Sequence, residues 1–421
     1  MRSESAATNL RCVDCQQSQV LEYCLACEAC GGLLEIHYDL TRLTDEPLVQ
    51  PRRTGVWRYA AWMPVHDAAN FVTLGEQLSP LFPIPRLGAE LGLRRLWIKF
   101  DGSNPTGTVK DRSSQTAVSC ARQFGFDTIG VVSTGNAASS IATYAARAGL
   151  RGLVCCYTQS TAAKMAHIAG VASDVIWYDG VYDDMIRHFD AAVDRRWFFD
   201  GGATRNAFKQ EGKKSIALET YEQLGRAPDL MVYPVGMGET LLASQRGWAA
   251  LAATGRIDKP PRPVSAQSTE ANTIAEAWRS GGDLQAKSIG YTVAEGTAVG
   301  DMGAKGRLTL RRIRQQNGLA GDVSDEETLD MQRRLAQVEG LWVGPTGAVP
   351  LAVTARLARE GLVDADAEIV CISSETGLKG DWPPLQVRGE KPSLELIRQA
   401  IGRSPINPPT ATARVATMCQ M

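Results

Sequence analysis

The sequence predicts an α/β protein, because short apolar strands alternate with helical patterns along most of the 421 residues. The clearest unit is the apolar run 128–132, followed by a helical pattern over 137–148 that Gly149 can end as a C-terminal cap. Strand patterns also lie at 33–38, 96–100, 152–157, 174–178, 230–235 and 367–373. Strands that alternate with helices of this length predict one open parallel sheet or two.

Length and composition indicate an ordinary globular chain with two lobes and exclude several classes of protein. Hydrophobic residues are 44% and charged residues 22% of the chain, and the formal net charge is -1. This charge gives no electrostatic case for nucleic acid or an anionic membrane. The N-terminus lacks the apolar core of a signal peptide, and no uncharged apolar run could cross a bilayer. We therefore expect a cytoplasmic protein with no nucleic-acid or membrane partner.

Half of the ten cysteines lie close to the N-terminus, where they form two CxxC pairs. The pairs are Cys12–Cys15 and Cys27–Cys30, eleven residues apart, with Cys24 as a spare thiol. Without an export signal, a disulfide framework is disfavoured. Two CxxC pairs at this spacing predict a four-thiolate zinc ribbon with a structural Zn²⁺.

One segment places a lysine at the start of a helix, directly after a Pro/Gly turn. Residues 103–112 are SNPTGTVKDR, so Lys110 falls in the first helical turn after the strand 96–100. The positive end of the helix dipole and partial burial both disfavour the ammonium and lower its pKa. An uncharged lysine amine can form an imine, so Lys110 is the candidate catalytic residue. The alternative is a surface lysine after a turn.

Three further strand ends have small polar or glycine-rich turns that could meet Lys110 at one sheet edge. The N–H groups and hydroxyls of the first turn can bind a carboxylate, and its residues are Ser133, Thr134, Gly135 and Asn136. The N–H groups of the second can bind a phosphate, and its residues are Gly236, Met237, Gly238, Glu239 and Thr240. The third contains Ser374, after the last strand. Each turn alone is common in α/β proteins, but the occurrence of all of them in one chain is much stronger evidence for a ligand site. No dinucleotide or P-loop spacing is present.

Together these motifs resemble those of the fold-type II pyridoxal-phosphate enzymes, the tryptophan synthase beta superfamily, and within it threonine synthase. The family motifs NPTGSFKDRG, STGN, PVGNGG and TGxGLKD are similar to residues 104–113, 133–136, 234–239 and 374–380. Residues 206–215 resemble NPxRxEGQKT, and the resemblance covers residues 10 to about 385. It implies two open, twisted, mostly parallel sheets flanked by helices, with the cysteine module in front.

The resemblance implies a role for each matched residue. Lys110 would hold pyridoxal 5'-phosphate as a Schiff base and then remove the Cα proton. Asn136 would contact the cofactor ring oxygen, Ser374 the ring nitrogen, and the turn 236–240 the cofactor phosphate. The turn 133–136 would bind the substrate carboxylate, while Lys209 and Lys214 would bind a substrate phosphate. The implied partners are a small, phosphorylated amino acid and a second copy of the chain in a homodimer.

The implied reaction converts O-phosphohomoserine and water to threonine and phosphate, but departures from the motifs leave alternatives open. Lys209 stands where the family has an arginine, and lysine cannot offer a bidentate fork. Val109 replaces phenylalanine, and Ser113-Ser114 replace Gly-Met. One alternative is β-replacement or elimination on O-phosphoserine, serine or threonine, as in cysteate synthase or a dehydratase. Another is a non-catalytic metal-binding protein that keeps the fold.

The chain divides into four predicted parts. Residues 1–45 form the cysteine module, and residues 46–115 with 206–400 form a large cofactor-binding domain. Residues 116–205 form a smaller domain that closes on the substrate. Residues 401–421, rich in Pro, Thr and Ala, are expected to be a poorly ordered tail.

Overall fold

The computed structural model describes residues 3–156, 160–178, 182–202 and 204–380. Its strands are β1 (Ala7–Cys12), β2 (Ser18–Val20), β3 (Leu34–Tyr38), β4 (Leu81–Pro83), β5 (Arg95–Phe100), β6 (Thr128–Val132), β7 (Arg151–Cys156), β8 (Asp174–Trp177), β9 (Phe199–Asp200), β10 (Leu230–Pro234), β11 (Arg262–Ser268), β12 (Leu319–Val323) and β13 (Glu368–Ser373). Its helices are α1 (Leu40–Asp45), α2 (Pro85–Glu90), α3 (Lys110–Gln123), α4 (Asn136–Ala148), α5 (Ala162–Val171), α6 (Tyr182–Asp194), α7 (Ala207–Gln210), α8 (Ser215–Leu224), α9 (Glu239–Ala253), α10 (Thr273–Ser280), α11 (Gly303–Gln315), α12 (Asp325–Glu339) and α13 (Pro345–Arg359). Short 3₁₀ turns connect several of these elements.

The N-terminal module is a small antiparallel sheet in the order β2-β1-β3. Along β1 and β3, buried residues largely alternate with more exposed ones, as expected for an antiparallel sheet with one face on the core. Leu10 lies opposite Ile36 in the register, and both side chains are buried. Cys12 ends β1.

The largest sheet has six strands in the order β12-β11-β10-β13-β5-β4, and every pairing except β4 with β5 is parallel. In this register Ser373, the last residue of β13, pairs with Phe100, the last residue of β5. The turns that follow β5, β10 and β13 therefore lie at the same carboxyl edge of the sheet, where open α/β sheets bind ligands.

The third sheet has four parallel strands in the order β8-β7-β6-β9. α4 connects β6 to β7, and Gly149 ends it with a left-handed φ of +71° and an amide bonded to helix carbonyls. The predicted fold class is confirmed: two open, mostly parallel sheets lie among helices, with a cysteine module in front.

Of the two serines that depart from the family motif, Ser114 contacts α4, whereas the Ser113 hydroxyl donates to the Lys110 carbonyl within α3. Ser113 and Ser114 are both buried, and the Ser140 hydroxyl donates to the Ser114 hydroxyl at 2.7 Å. The small side chain of Ser114 lets the two helices pack closely.

The described part of the chain contains no helix with the length and apolar character of a membrane span. The predicted tail 401–421 lies outside the described residues, as does the end of the predicted large domain. The domain boundaries stay predictions.

Candidate active site

The turn between β5 and α3 presents Lys110 as the first residue of α3. The Gly107 amide donates to the Asn104 carbonyl at 2.7 Å, and Gly107 has a φ of +75° that glycine adopts without strain. The Val109 amide donates to the Ser374 carbonyl at 2.8 Å. The turn is therefore fixed against the end of β13, which brings Lys110 and Ser374 to the same edge.

The two residues after Lys110 anchor the start of α3 on both sides. Asp111 is buried and accepts a hydrogen bond of 2.6 Å from the Ser140 hydroxyl of α4. Burial raises its pKa to about 6. Arg112 is buried and donates two hydrogen bonds of 2.8 Å to the Asp101 carboxylate. These contacts hold the start of α3 between α4 and the end of β5.

A cavity of about 270 Å³ opens over Lys110. The predicted site residues that line it are Lys110, Ser133, Thr134, Gly135, Asn136, Thr240 and Ser374. The structure therefore brings together the lysine, the carboxylate-binding turn and the strand-end serine, which are widely separated in the sequence.

The pKa of the half-buried Lys110 amine is lowered from 10.5 to about 7. The charge of Lys213 is the largest cause and burial is the second, while Glu239 and Glu375 oppose the shift. About half of the amine is therefore free near neutral pH, as a nucleophile toward a carbonyl group requires. The sequence argument anticipated burial but not the charge of Lys213.

The glycine turn after β10 packs tightly against its neighbours. A Cβ atom on Gly236 would lie 2.5 Å from the Gly296 carbonyl oxygen, and one on Gly238 would lie 2.1 Å from the Thr309 hydroxyl. The turn leads into the first turn of α9, whose N–H groups have no partner within the helix. Among these turn residues only Thr240 lines the cavity; Gly236, Met237, Gly238 and Glu239 lie behind it.

Glu239 begins α9 with a buried carboxylate that bonds the Lys213 ammonium at 2.6 Å. Burial opposes its ionisation, but the charges of Lys213, Lys209 and Lys305 hold its pKa well below the usual value. The turn that was predicted to bind a phosphate therefore lies beside a concentration of positive charge.

The structure does not bring Lys209 or Lys214 into the cavity. The Lys209 ammonium donates to the Gly201 carbonyl at 2.7 Å, and that of Lys214 bonds Glu211 at 2.6 Å. Lys214 also lies 3.5 Å from the centre of the Tyr38 ring. Both lysines are buried, with protein partners.

Three charged residues of the cavity, Lys164, Glu295 and Glu375, were not predicted from the sequence. Lys164, in the first turn of α5, bonds Glu295 at 2.7 Å, and both side chains line the cavity. Lys164 is buried and Glu295 is half-exposed. The two residues lie 131 positions apart, so no local pattern marks them as a pair.

The four cysteines of the two CxxC pairs converge, with all their sulfur atoms within 4.8 Å of one another. The Cys12–Cys30 and Cys15–Cys27 sulfur distances are 3.5 and 3.6 Å. Four thiolates at Zn–S bonds of about 2.3 Å stand about 3.8 Å apart in a tetrahedron, so the cluster fits a zinc ion. Cys24 lies outside this group and accepts a hydrogen bond from Gln19.

We expect Cys12→Ser to remove zinc from the purified protein, because a serine hydroxyl is a poor ligand for Zn²⁺. The wild-type chain should have about one zinc per molecule in metal analysis. Cys24→Ser is the matched control, since this thiol is a neighbour of the cluster but not a member, and it should keep its zinc. Equal zinc in both variants would contradict the assignment.

Comparison with known proteins agrees with this geometry. The family model for pyridoxal-phosphate dependent enzymes matches residues 72–375. The threonine synthase of Methanocaldococcus jannaschii is 34% identical over 393 residues, which cover 92% of this chain and 96% of that protein. The threonine synthase of Mycobacterium tuberculosis is 30% identical, with coverage of 78% and 89%.

Solved structures with lower identity show the same fold. Maize serine racemase superposes with a TM-score of 0.61 at 19% identity, covering 77% of this chain and 92% of that chain. The processed threonine deaminase isoform 2 from Solanum lycopersicum gives 0.61 at 18% identity, covering 73% and 85%. The predicted family and cofactor are confirmed. The chain belongs to the pyridoxal-phosphate dependent enzymes, in the group of the threonine synthases.

Proposed function

We propose that this enzyme converts O-phosphohomoserine and water to threonine and inorganic phosphate in the cavity over Lys110. The observation that supports this most is that one cavity unites Lys110, the turn 133–136 and Ser374. The resemblance to threonine synthase gives these residues the roles of reactive lysine, substrate-carboxylate site and ring-nitrogen partner. A relative of that name is similar over nearly its whole length.

The residues of the cavity fit pyridoxal phosphate. Lys110 offers a partly unprotonated amine, and Asn136 has a buried Oδ1 atom without a hydrogen-bond partner among the described residues. Thr240, in the first turn of α9, lines the cavity. Lys110, Asn136, Ser374 and the start of α9 would hold the cofactor. When bound, it supplies an electron sink for the negative charge that develops at Cα.

Residues of the chain perform the remaining steps. The Lys110 amine removes the Cα proton and moves protons between the substrate carbons. The N–H groups at the start of α4 and the hydroxyls of Ser133 and Thr134 hold the substrate carboxylate. Cβ also loses a proton, the C–O bond at Cγ breaks with its electron pair on the phosphate, and Cγ gains a proton. The water oxygen then bonds Cβ and gives up a proton, and a proton returns to Cα, which yields threonine.

A second candidate is β-replacement or elimination on O-phosphoserine, serine or threonine. One observation favours its unphosphorylated substrates, serine and threonine: Lys209 and Lys214 are bonded to protein groups outside the cavity. Besides Lys110, the described cavity lining contains one lysine, Lys164, and Glu295 offsets its charge. A substrate without a phosphate would need no further cation.

The decisive experiment incubates the cofactor-loaded enzyme separately with O-phosphohomoserine, O-phosphoserine, serine and threonine. Phosphate release is measured for the two phosphorylated substrates, and amino-acid analysis follows substrate loss and product formation for all four. Threonine and phosphate in equal amounts from the first substrate support the proposal. Turnover of O-phosphoserine, serine or threonine alone supports the second candidate. No turnover of any of them would overturn both.

A homodimer, a cytoplasmic location and closure of residues 116–205 on the substrate stay predictions. The oligomer can be measured by light scattering of the purified protein.

We expect Lys213→Met to raise the pKa of Lys110, since the charge of Lys213 is the largest cause of its depression. Less free amine at about pH 7 should slow covalent capture of pyridoxal phosphate by the apo-protein. The capture rate of the wild type should rise with pH through about 7, and the rise should move to higher pH in the variant. Lys213→Arg, which keeps the charge, should stay near the wild type. Identical pH profiles for all three proteins would exclude this role of Lys213.

A further inference from the structure

Glu375 and Asn136 form a hydrogen-bonded pair at the wall of the cavity. The Asn136 side-chain nitrogen donates to Oε2 of Glu375 at 2.6 Å, and both residues line the cavity. They come from different elements of the fold: Asn136 begins α4, and Glu375 follows β13. The motif that residues 374–380 resemble has glycine at the position of Glu375. This carboxylate is therefore a feature of this chain.

The pair fixes the orientation of the Asn136 amide. A carboxylate only accepts hydrogen bonds, so it selects the amide nitrogen and repels the amide oxygen. Oδ1 accordingly points away and is buried without a partner among the described residues. The nitrogen has a second N–H, which is available to an acceptor in the cavity.

Glu375 is itself held in place by the start of α13. Its Oε1 accepts a hydrogen bond of 3.3 Å from the Thr346 amide, in the first turn of α13. Its backbone carbonyl accepts one of 3.1 Å from the Gly344 amide. A Cβ atom on Gly344 would lie 2.6 Å from Cγ of Glu375, so glycine makes room for this side chain. The carboxylate is thus fixed before any ligand enters.

We propose that Glu375 is a positioning residue that acts through Asn136, holding the amide with an N–H group toward the ring oxygen of pyridoxal phosphate. The ring oxygen accepts hydrogen bonds, so only the nitrogen end of the amide can serve it. This inference rests on the proposed role of Asn136 at the cofactor. It is independent of which amino acid is converted.

The test is a double-mutant cycle on cofactor binding, with the dissociation constant of pyridoxal phosphate for the apo-protein as the readout. Glu375→Gln keeps the shape, but its amide can donate to Oδ1 of Asn136 and stabilise the flipped orientation. We expect it to weaken cofactor binding about tenfold, the factor that corresponds to about 1.4 kcal/mol. In an Asn136→Ala background, the same change should have no further effect.

Three results would overturn the proposal. Unchanged binding would show that the orientation does not matter. Tighter binding would show that the carboxylate only repels the cofactor. An equal loss in both backgrounds would show a purely structural role, such as support of α13 through Thr346. If the glutamine variant does not fold, Glu375→Ala, which removes the acceptor that selects the amide nitrogen, provides the same cycle with the same interpretation. Because no amino-acid substrate is used, failure of the proposed reaction would leave this readout intact.

Discussion

Replacing Lys110 with alanine is expected to abolish turnover, with a loss of about a thousandfold or more in the rate of phosphate release. The variant lacks both the amine that captures the cofactor and the base that removes the Cα proton. Borohydride treatment of the loaded wild type should fix the cofactor on Lys110 in a peptide map, and the variant should have no such label. Lys110→Arg is the matched control, because a guanidinium keeps the charge but is never a free amine in proteins.

The same substitution should not destabilise the apo-protein. The folded-state pKa of Lys110, about 7, lies below its ordinary value of 10.5, so the fold disfavours the protonated form. The wild type should therefore lose stability as the pH falls from 10.5 towards 7, and alanine should remove this loss. We expect the melting temperature of the apo variant to equal or exceed that of the wild type near neutral pH. A clear decrease would mean that the lost activity reflects unfolding.

Much of the fold could be predicted from the sequence, because several strands are continuous apolar runs with clear breaks. β6, α4 and β7 follow the pattern closely. β11 and β12 were missed because buried polar residues interrupt their apolar character. Gln267 of β11 is fully buried and accepts hydrogen bonds from the first amides of α10. Asp322 of β12 is buried and bonds Asn272. These partners arise only in the folded chain.

The candidate site was likewise predicted only in part. Lys110 and Ser374 follow β5 and β13, and the parallel register of these strands brings them to one edge of the six-stranded sheet. Asn136 follows β6 of the other sheet and joins them at the cavity, so the expectation that all the turns share one sheet edge is wrong for residues 133–136. Lys164 and Glu375 have no such signal, since their partners are 131 and 239 positions away. Which of the neighbouring lysines 213 and 214 approaches Lys110 depends on helical phase, which the sequence does not fix within a short 3₁₀ turn.

Replacing Arg112 with methionine is expected to cost about 3–5 kcal/mol of unfolding free energy, the penalty for breaking a buried ion pair from one side. Arg112 bonds Asp101 and Glu219, and all three side chains are buried. Methionine would remove the cation that bonds both carboxylates, so that Asp101 loses its ion pair and Glu219 keeps Lys99, at 2.8 Å, and the Ser79 amide. Urea unfolding of the apo-protein measures this loss. Arg94→Met is the matched control: its pair with Asp366 is exposed, so removal should cost at most about 1 kcal/mol.

The pH dependence of the unfolding free energy shows whether Arg112→Met destabilises the protein by loss of charge pairing or by loss of packing. Burial opposes ionisation of Glu219, but Arg112 and Lys99 lower its pKa from 4.5 to about 2. The stabilisation that follows from the lowered pKa of Glu219 is fully present above pH 4.5 and is lost as the pH falls towards 2. The difference between the wild type and Arg112→Met should therefore shrink over this range, whereas a packing defect would keep it constant. Because Arg112 follows Lys110 by two residues in α3, the same ion pairs that stabilise the fold also fix the reactive amine over its cavity.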